Sequence, residues 1–201
     1  MRSADNGWVN QVIIVITGTP GTGKTSVARK LAAAINGIHI DVSRFVIDNK
    51  LYVDYDDRRK SYIIDEKRVV DRLTKNTSSY TKPVIIDIHY PEILPSEIVD
   101  YVIVLRTHPE ELYRRLKTRN WPLHKVKENV MAEILGVVVQ NIIEHFDRKK
   151  IYEIDTTNKT IDEVVEEIID IIKGSKSIGQ REHIDWLEKI PIEVIKKYED
   201  Y

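Results

Sequence analysis

The stretch VIIVITGTPGTGKTSVARKLA, residues 12–32, decides the fold of this 201-residue chain. It begins as a short β-branched apolar segment, typical of a buried strand, and ends in a helical pattern. Between them, GTPGTGKT at residues 18–25 has the spacing G-x-x-x-x-G-K-[ST] of a phosphate-binding loop. Its glycines let successive N–H groups turn toward one anion, and the helix adds the positive end of its dipole. A chance Gly-rich loop is the weaker explanation, and the stretch predicts a nucleoside triphosphate site.

Side chains of this loop have distinct expected roles. We expect Lys24 to reach the β- and γ-phosphates, the Thr25 hydroxyl to bind Mg²⁺, and Ser26 to lie near the α-phosphate. The residues predicted to bind the triphosphate are Gly21, Thr22, Gly23, Lys24, Thr25 and Ser26.

Short β-branched runs alternate with longer helical patterns along most of the chain. The predicted strands are 12–17, 38–41, 83–88, 101–106 and 151–155. The predicted helices are 24–36, 67–77, 109–119, 125–146 and 161–173, two of which follow capping-box patterns at Thr107–Glu110 and Thr160–Glu163. Three strands are nearly continuous apolar runs, as expected where both faces of a parallel sheet are covered. The alternation predicts a doubly wound α/β fold.

Composition excludes several classes of protein. The 31 basic and 32 acidic side chains give a net charge of -1, so nothing general points to nucleic acid. The absence of cysteine excludes disulfides and thiolate metal sites. Charged residues interrupt every apolar run before the ~18 residues that a membrane span needs. The first ten residues have no hydrophobic core of a secretion signal, so the cytoplasm is the expected location.

A second informative stretch is PVIIDIH, residues 83–89. A carboxylate at the end of a parallel strand lies beside the phosphate-binding loop, so Asp87 is predicted to anchor Mg²⁺ directly or through water. His89 would point to the same side if the strand continues, and we expect it to orient a nucleophile or contact an acceptor phosphate. Each residue also has a structural explanation, a turn aspartate and a packing histidine, but their combination favours function.

The kind of reaction is narrowed by what else the chain carries. No Asn-Lys pair is followed by Asp at the spacing of a guanine-reading motif, which argues against a switch GTPase. Phosphoryl transfer needs positive charge and exclusion of water, and Arg119, before the polar segment with Trp121, is the predicted lid arginine. A solvated arginine at a helix end explains Arg119 nearly as well. The insert at 42–65 is too polar and irregular for core. It is placed to cover an acceptor site, with surface decoration as its alternative.

The end of the chain has a different pattern. Ser-Lys-Ser-Ile-Gly at residues 175–179 is a predicted hinge, and the apolar residues between 184 and 198 follow approximate helical spacing with a break at Pro191. A helical pair that packs back on the domain is the first interpretation. A docking element for a partner or a second subunit is the other.

Taken together, several segments resemble one family, the atypical adenylate kinases of the isoenzyme 6 type found in archaea and eukaryotes. The resemblance covers about residues 12–173 and rests on GTPGTGKTS, LYVDYDDRRKSYIIDEKRVVD, VIIDIHYPEILP, VIVLRTHPEELYRRLKTRNW and KVKENVMAEI. The Asp-x-His pair of Asp87 and His89 marks this family among nucleotide kinases.

This resemblance implies a P-loop nucleoside-monophosphate kinase domain at 1–174 with a five-stranded parallel sheet. It places the acceptor insert at about 41–64, the lid at about 118–128 with Arg119 on ATP, and a helical extension at 175–201. The implied activity is Mg²⁺-dependent conversion of ATP and AMP into two ADP, with ATPase activity. Members also act in small-ribosomal-subunit maturation and rRNA processing with a platform ribosomal protein of the S11 type, and a monomer is expected.

The chain departs from the family pattern at three places. Val53-Asp54 stands where the family usually has Asp-Gly, Asp147 stands where it has a nucleotide-binding lysine, and 175–201 extends past its usual end. Residues 148–150, Arg-Lys-Lys, could replace that lysine. Two hypotheses follow: an adenylate kinase whose catalytic residues are Lys24, Asp87, His89 and Arg119, or an ATP-switched ribosome assembly factor with incidental kinase activity.

Overall fold

The computed structural model of the chain describes residues 11–57, 61–174 and 183–199. Five parallel strands form the central sheet, in the spatial order β2-β5-β1-β6-β7. These strands are β1 (Ile13–Gly18), β2 (Ile38–Asp41), β5 (Val84–Asp87), β6 (Tyr101–Arg106) and β7 (Ile151–Asp155). The predicted doubly wound α/β architecture and its five strands are therefore confirmed.

Helices cover both faces of this sheet. One face packs against α1 (Lys24–Ala34) and α7 (Ile161–Ile172), and the other packs against α3 (Glu66–Thr77) and α6 (Val137–His145). Because both faces are covered, the central strands exclude water along their length, and all six residues of β1 are buried. The carboxyl ends of all five strands meet at one edge, where α1 begins.

Two predicted helix boundaries need correction. The segment expected as one helix at 125–146 is two helices, α5 (Leu123–Ile134) and α6, separated at Gly136, whose φ of 63° is left-handed. The capping box predicted at Thr107 is wrong, because His108 caps α4 (Pro109–Lys117) through Nδ1, which accepts from the Glu110 N–H. The predicted box at Thr160 and Glu163 is present in both directions.

The insert at 42–65 contains more core than its polarity suggests. It forms α2 (Val42–Asp48) and an antiparallel hairpin of β3 (Tyr52–Asp56) and β4 (Ser61–Ile64). Val42, Val46 and Leu51 are buried in the main core, so the expectation that the segment is unsuitable for core is wrong at its base. The hairpin extends from this base and carries exposed apolar side chains.

After 174, the described part of the extension folds back on the domain. It contains α8 (Trp186–Lys189) and α9 (Ile192–Glu199), which share a hydrophobic cluster with α4 and α5. The predicted hinge at 175–179 lies outside the described residues. Within the described ranges, no helix is both long and apolar enough to cross a membrane.

Candidate active site

The phosphate-binding loop connects β1 to α1 through two glycines with left-handed backbones. Gly21 has φ of 100° and Gly23 has φ of 101°, and Gly23 is the N-cap of α1, with no side chain bonded to the first turn. A Cβ on Gly21 would approach Leu112 Cδ1 to 2.8 Å, whereas a Cβ on Gly23 would meet no protein atom within 4 Å. Gly21 therefore lets the loop pack on α4, and Gly23 faces open space that suits an anion.

Lys24, the first residue of α1, is buried, and its side chain folds back onto the start of the loop. Its Nζ donates to the Gly18 carbonyl at 2.8 Å and to the Thr19 carbonyl at 3.3 Å. Burial, with a smaller contribution from Arg119, lowers the pKa of Lys24 from 10.5 to about 8, against the raising effect of Asp87 and Glu133. Within the described residues, the hydrogen bonds of this buried ammonium go to carbonyls, and such an ammonium favours a neighbouring anion, as expected of a phosphate ligand.

Thr22 and Ser26, both predicted to bind the triphosphate, differ in exposure. Thr22 is buried, and its hydroxyl donates to the Thr19 carbonyl at 2.9 Å, so its side chain shapes the loop. Ser26 is exposed in the first turn of α1, which leaves its hydroxyl free to approach an α-phosphate. A role for Thr22 would therefore belong to its backbone.

Asp87 is the last residue of β5 and is buried at the carboxyl edge of the sheet. Burial raises the pKa of Asp87; Asp41 raises it further, while a hydrogen bond from Thr25 and the charges of Lys24 and His39 lower it. A carboxylate and a hydroxyl are hard oxygen donors, and magnesium takes one or two such protein ligands beside phosphates and water. Thr25 and Asp87 fit that donor set, and the described ranges hold no group of three or more metal-binding side chains.

Two residues near Asp87 were missed from the sequence. Asp41 ends β2 directly opposite Asp87 in the register of the sheet, and the His39 Nε2 lies 4.0 Å from the Asp87 Oδ2. This His39 Nε2 is buried and has no hydrogen-bond partner among the described residues. For Asp41 a signal was available in the sequence: IHID has the same form as VIID, an apolar strand that ends in aspartate.

His89 does not lie on the strand that was expected to carry it, because β5 ends at Asp87. It occupies the bend that follows, where the residue is partly exposed to solvent and partly enclosed by protein near the same cluster of charges. Partial burial by surrounding protein, together with the positive charges of Lys24 and Arg119, lowers the pKa of His89 to about 4. The imidazole is therefore neutral at neutral pH and can both donate and accept a hydrogen bond.

Arg119 follows the end of α4, where the predicted lid begins. Its guanidinium lies 5.4 Å from the centre of the Trp121 ring, and the Lys125 ammonium lies 4.5 Å from the same ring. Arg119 is exposed, yet its charge lowers the pKa of both Lys24 and His89. The guanidinium thus contributes to the potential of the phosphate loop while it rests on an aromatic ring.

Of the possible substitutes for a nucleotide-binding lysine, Lys150 is engaged elsewhere. Its Nζ donates to the Ser96 carbonyl at 2.8 Å, and Asp147 caps the short helix Arg148–Lys150 by accepting from the Lys149 N–H. This segment precedes Ile151, the first residue of β7, and so lies at the amino end of the strands. The phosphate loop lies at their carboxyl end.

Behind the phosphate loop lies a buried ionic cluster that the sequence did not indicate. Arg106, at the end of β6, donates through Nε to the Glu133 carboxylate at 2.8 Å and through Nη1 to the Glu153 carboxylate. Glu133 also accepts a hydrogen bond from the Thr19 hydroxyl in the loop. A glutamate in a helical pattern is usually solvent-exposed, so nothing in the sequence marked it.

Comparison with known proteins agrees with this geometry. The AAA domain family profile matches residues 14–136. A protein of Saccharolobus islandicus named "Putative adenylate kinase" is 45% identical over 158 residues, covering 79% of this chain and 82% of that protein. The "Adenylate kinase isoenzyme 6 homolog FAP7" of Saccharomyces cerevisiae is 32% identical over 187 residues, covering 92% of this chain and 89% of that protein.

The yeast match covers more of the chain than residues 1–174 could supply, so it reaches into the C-terminal extension. Among solved structures, a shikimate kinase from Acinetobacter baumannii has a TM-score of 0.57 at 17% identity, over 85% of this chain and 97% of that chain. This likeness shows the kinase fold. The chain itself belongs to the adenylate kinase-like nucleotide kinase family that includes the archaeal adenylate kinase homologues and the isoenzyme 6 homologues of eukaryotes.

Proposed function

We propose that the chain is a Mg²⁺-dependent adenylate kinase that converts ATP and AMP into two ADP and has ATPase activity. One observation carries the proposal: Lys24, Asp87, His89 and Arg119 come from three segments of the chain and meet around the glycine-rich loop. The charges of Asp87 and Arg119 act on the pKa of Lys24, that of Lys24 on the pKa of Asp87, and those of Lys24 and Arg119 on the pKa of His89. Membership of the nucleotide kinase family supports the same reaction.

In this proposal, an α-phosphate oxygen of AMP attacks the γ-phosphorus of ATP, and the bond from that phosphorus to the β–γ bridging oxygen breaks. Lys24 and the loop N–H groups hold the phosphates, and Arg119 leaves the Trp121 ring to neutralise the transferring group. Mg²⁺, when bound by Thr25 and Asp87, supplies additional neutralisation of phosphate charge. Neutral His89 positions the acceptor, or a water molecule when no acceptor is bound.

In such an enzyme, residues 1–174 would form the kinase domain and residues 175–201 an extension. The hairpin of the acceptor insert, about 41–64, would cover AMP, and the lid, about 118–128, would cover ATP. We expect a monomer that acts in the cytoplasm.

A direct test measures ADP formation from saturating Mg·ATP with and without AMP. We expect AMP to stimulate turnover and Lys24→Ala to abolish it. The control is Lys30→Ala on the same helix. The exposed Lys30 side chain lies away from the site and pairs with Asp162, with 2.8 Å between Nζ and Oδ1. This variant should retain wild-type turnover. Slow hydrolysis that is indifferent to AMP would contradict the kinase.

A second candidate function is an ATP-switched factor in small-ribosomal-subunit maturation and rRNA processing, with a platform ribosomal protein of the S11 type and the subunit precursor as partners. The observation that favours it is the exposed apolar surface of the hairpin, where Val53 is 65% and Ile63 is 47% exposed. Such side chains in contact with solvent are typical of a binding surface. An ATPase rate changed by the ribosomal protein but not by AMP would favour this function.

A further inference from the structure

One buried carboxylate, Glu133 on α5, connects three distant parts of the chain. Its Oε2 accepts from the Thr19 hydroxyl in the phosphate loop. Its Oε1 accepts from Arg106 Nε at 2.8 Å, from the Thr107 N–H at 3.1 Å, and from Trp186 Nε1 at 3.1 Å. Glu133 is only 1% exposed, so these donors, rather than water, stabilise its negative charge.

On the loop side, this carboxylate connects to the lysine that is proposed to bind ATP. The Thr19 hydroxyl donates to Glu133, and the Thr19 carbonyl accepts from Lys24 Nζ at 3.3 Å. The same carbonyl also accepts from the Thr22 N–H at 3.3 Å and the Thr22 hydroxyl at 2.9 Å. A shift of Thr19 therefore moves the acceptor of three hydrogen bonds that shape the loop.

On the other side, Glu133 connects to the C-terminal segment, residues 183–199. Trp186 packs edge-on against His108 at 5.5 Å and donates its indole N–H to Glu133. Arg106 donates to the Ile184 carbonyl at 3.0 Å, so Arg106 and Glu133 both bond to the C-terminal segment. The aromatic pair of Tyr113 and Tyr198, with ring centres 5.4 Å apart, holds its far end on α4.

The C-terminal segment thus completes the coordination of a carboxylate that faces the phosphate loop. We propose that Glu133 is a positioning residue through which docking of residues 183–199 sets the geometry of the phosphate loop and strengthens ATP binding. This inference rests on the proposed function, because the loop it regulates is the proposed ATP site. A purely structural segment would stabilise the fold without changing ATP affinity.

The test is a double-mutant cycle of Thr19→Val and Trp186→Phe in the full chain. Each removes one donor to Glu133 and preserves most of the side-chain volume. The readout is the dissociation constant of Mg²⁺ with the non-hydrolysable analogue AMP-PNP, beside the melting temperature. We expect Trp186→Phe to weaken binding about fivefold, which corresponds to about 1 kcal/mol, and to have much less effect in the Thr19→Val background.

The matched control is Leu187→Ala, in the same short helix, with a side chain 48% exposed and outside the polar cluster. It should leave analogue binding unchanged. If Trp186→Phe lowers only the melting temperature, or if its effect on binding is the same in both backgrounds, the relay through Glu133 is overturned.

A second measurement needs no substitution. Coupling is reciprocal, so saturating analogue should slow amide hydrogen exchange in residues 184–198 of the wild-type chain. Unchanged exchange there would contradict the proposal even if a variant failed to fold. Both readouts omit AMP, so failure of the kinase assay and failure of this coupling are separate results.

Discussion

At the scale of single residues, burial of the Lys24 ammonium is unfavourable to folding but favourable to binding an anion. This burial lowers the pKa of Lys24 to about 8. Sites that act on substrates commonly hold groups in environments that are unfavourable to the fold alone. The cost of this arrangement should therefore depend on pH.

The direction of this pH dependence follows from the linkage between proton binding and folding. Because the pKa of Lys24 is lower in the folded protein than its ordinary 10.5, the unfolded chain binds more protons between pH 8 and 10.5, and stability rises with pH in that window. We expect the wild type to gain about 2 kcal/mol relative to Lys24→Met between pH 8 and pH 10. Urea unfolding of both proteins at both pH values measures the difference. A constant difference would show that Lys24 is not strained by burial.

His89 allows a second prediction at this scale. Its pKa of about 4 means that the imidazole is neutral from about pH 5 upward. An NMR titration, assigned with His89→Gln, should give a midpoint near 4 in the empty protein. Added Mg·ATP analogue should raise the midpoint, because phosphate charge stabilises the imidazolium. A midpoint near 6.5 with and without nucleotide would place His89 outside the site.

At the scale of elements, the phosphate loop divides its two left-handed glycines between packing and binding. Gly21 lies against Leu112 and Leu116 of α4, while Gly23 faces open space. Gly21→Ala should lower the free energy of unfolding by about 2–4 kcal/mol, because backbone strain and the clash with α4 add. Gly23→Ala should cost only about 1 kcal/mol but abolish analogue binding.

Urea unfolding and analogue binding, measured on both variants, separate the two effects. The comparison is internally matched, because both positions have nearly the same φ and receive the same added methyl group. Equal losses of stability, or nucleotide binding retained by Gly23→Ala, would contradict this division.

The sequence predicted elements well where local pattern and tertiary packing agree. The apolar strands and the capping box at Thr160 are examples, because their residues favour the same structure alone and in the fold. The break at Gly136 was missed because apolar spacing continues across it, although glycine there adopts a left-handed turn. Thr107 failed as a cap because its hydroxyl pairs with Thr156, 49 residues away, at 2.7 Å.

The candidate active site, too, could be predicted only where its pattern is local in sequence. Residues 18–26 could be recognised because their chemistry is local in sequence. His39 and Glu133 could not be placed without the sheet register and the docking of α5, since each acquires its neighbours only from distant strands or helices.

At the scale of the whole molecule, Arg106 connects the sheet, α5 and the extension. It is 1% exposed and is shared between the carboxylates of Glu133 and Glu153, with a further bond to the Ile184 carbonyl. His183 also bonds to Glu153, through Nδ1 at 2.8 Å. One guanidinium therefore compensates two buried carboxylates that belong to different elements.

Replacement of Arg106 by methionine should consequently destabilise the whole chain. It leaves Glu133 and Glu153 without their shared cation, and breaking a buried pair from one side costs about 3–5 kcal/mol. The control is Arg44→Met, which removes an exposed pair with Asp48 at 3.4 Å and should change stability by less than about 0.5 kcal/mol. Urea unfolding compares the two.

Because Arg106 also bonds to the extension, limited proteolysis of Arg106→Met should cut within 183–199 before the rest of the chain. Equal stability of the two variants, or an extension that resists cleavage until global unfolding, would show that Arg106 does not hold the segment to the domain.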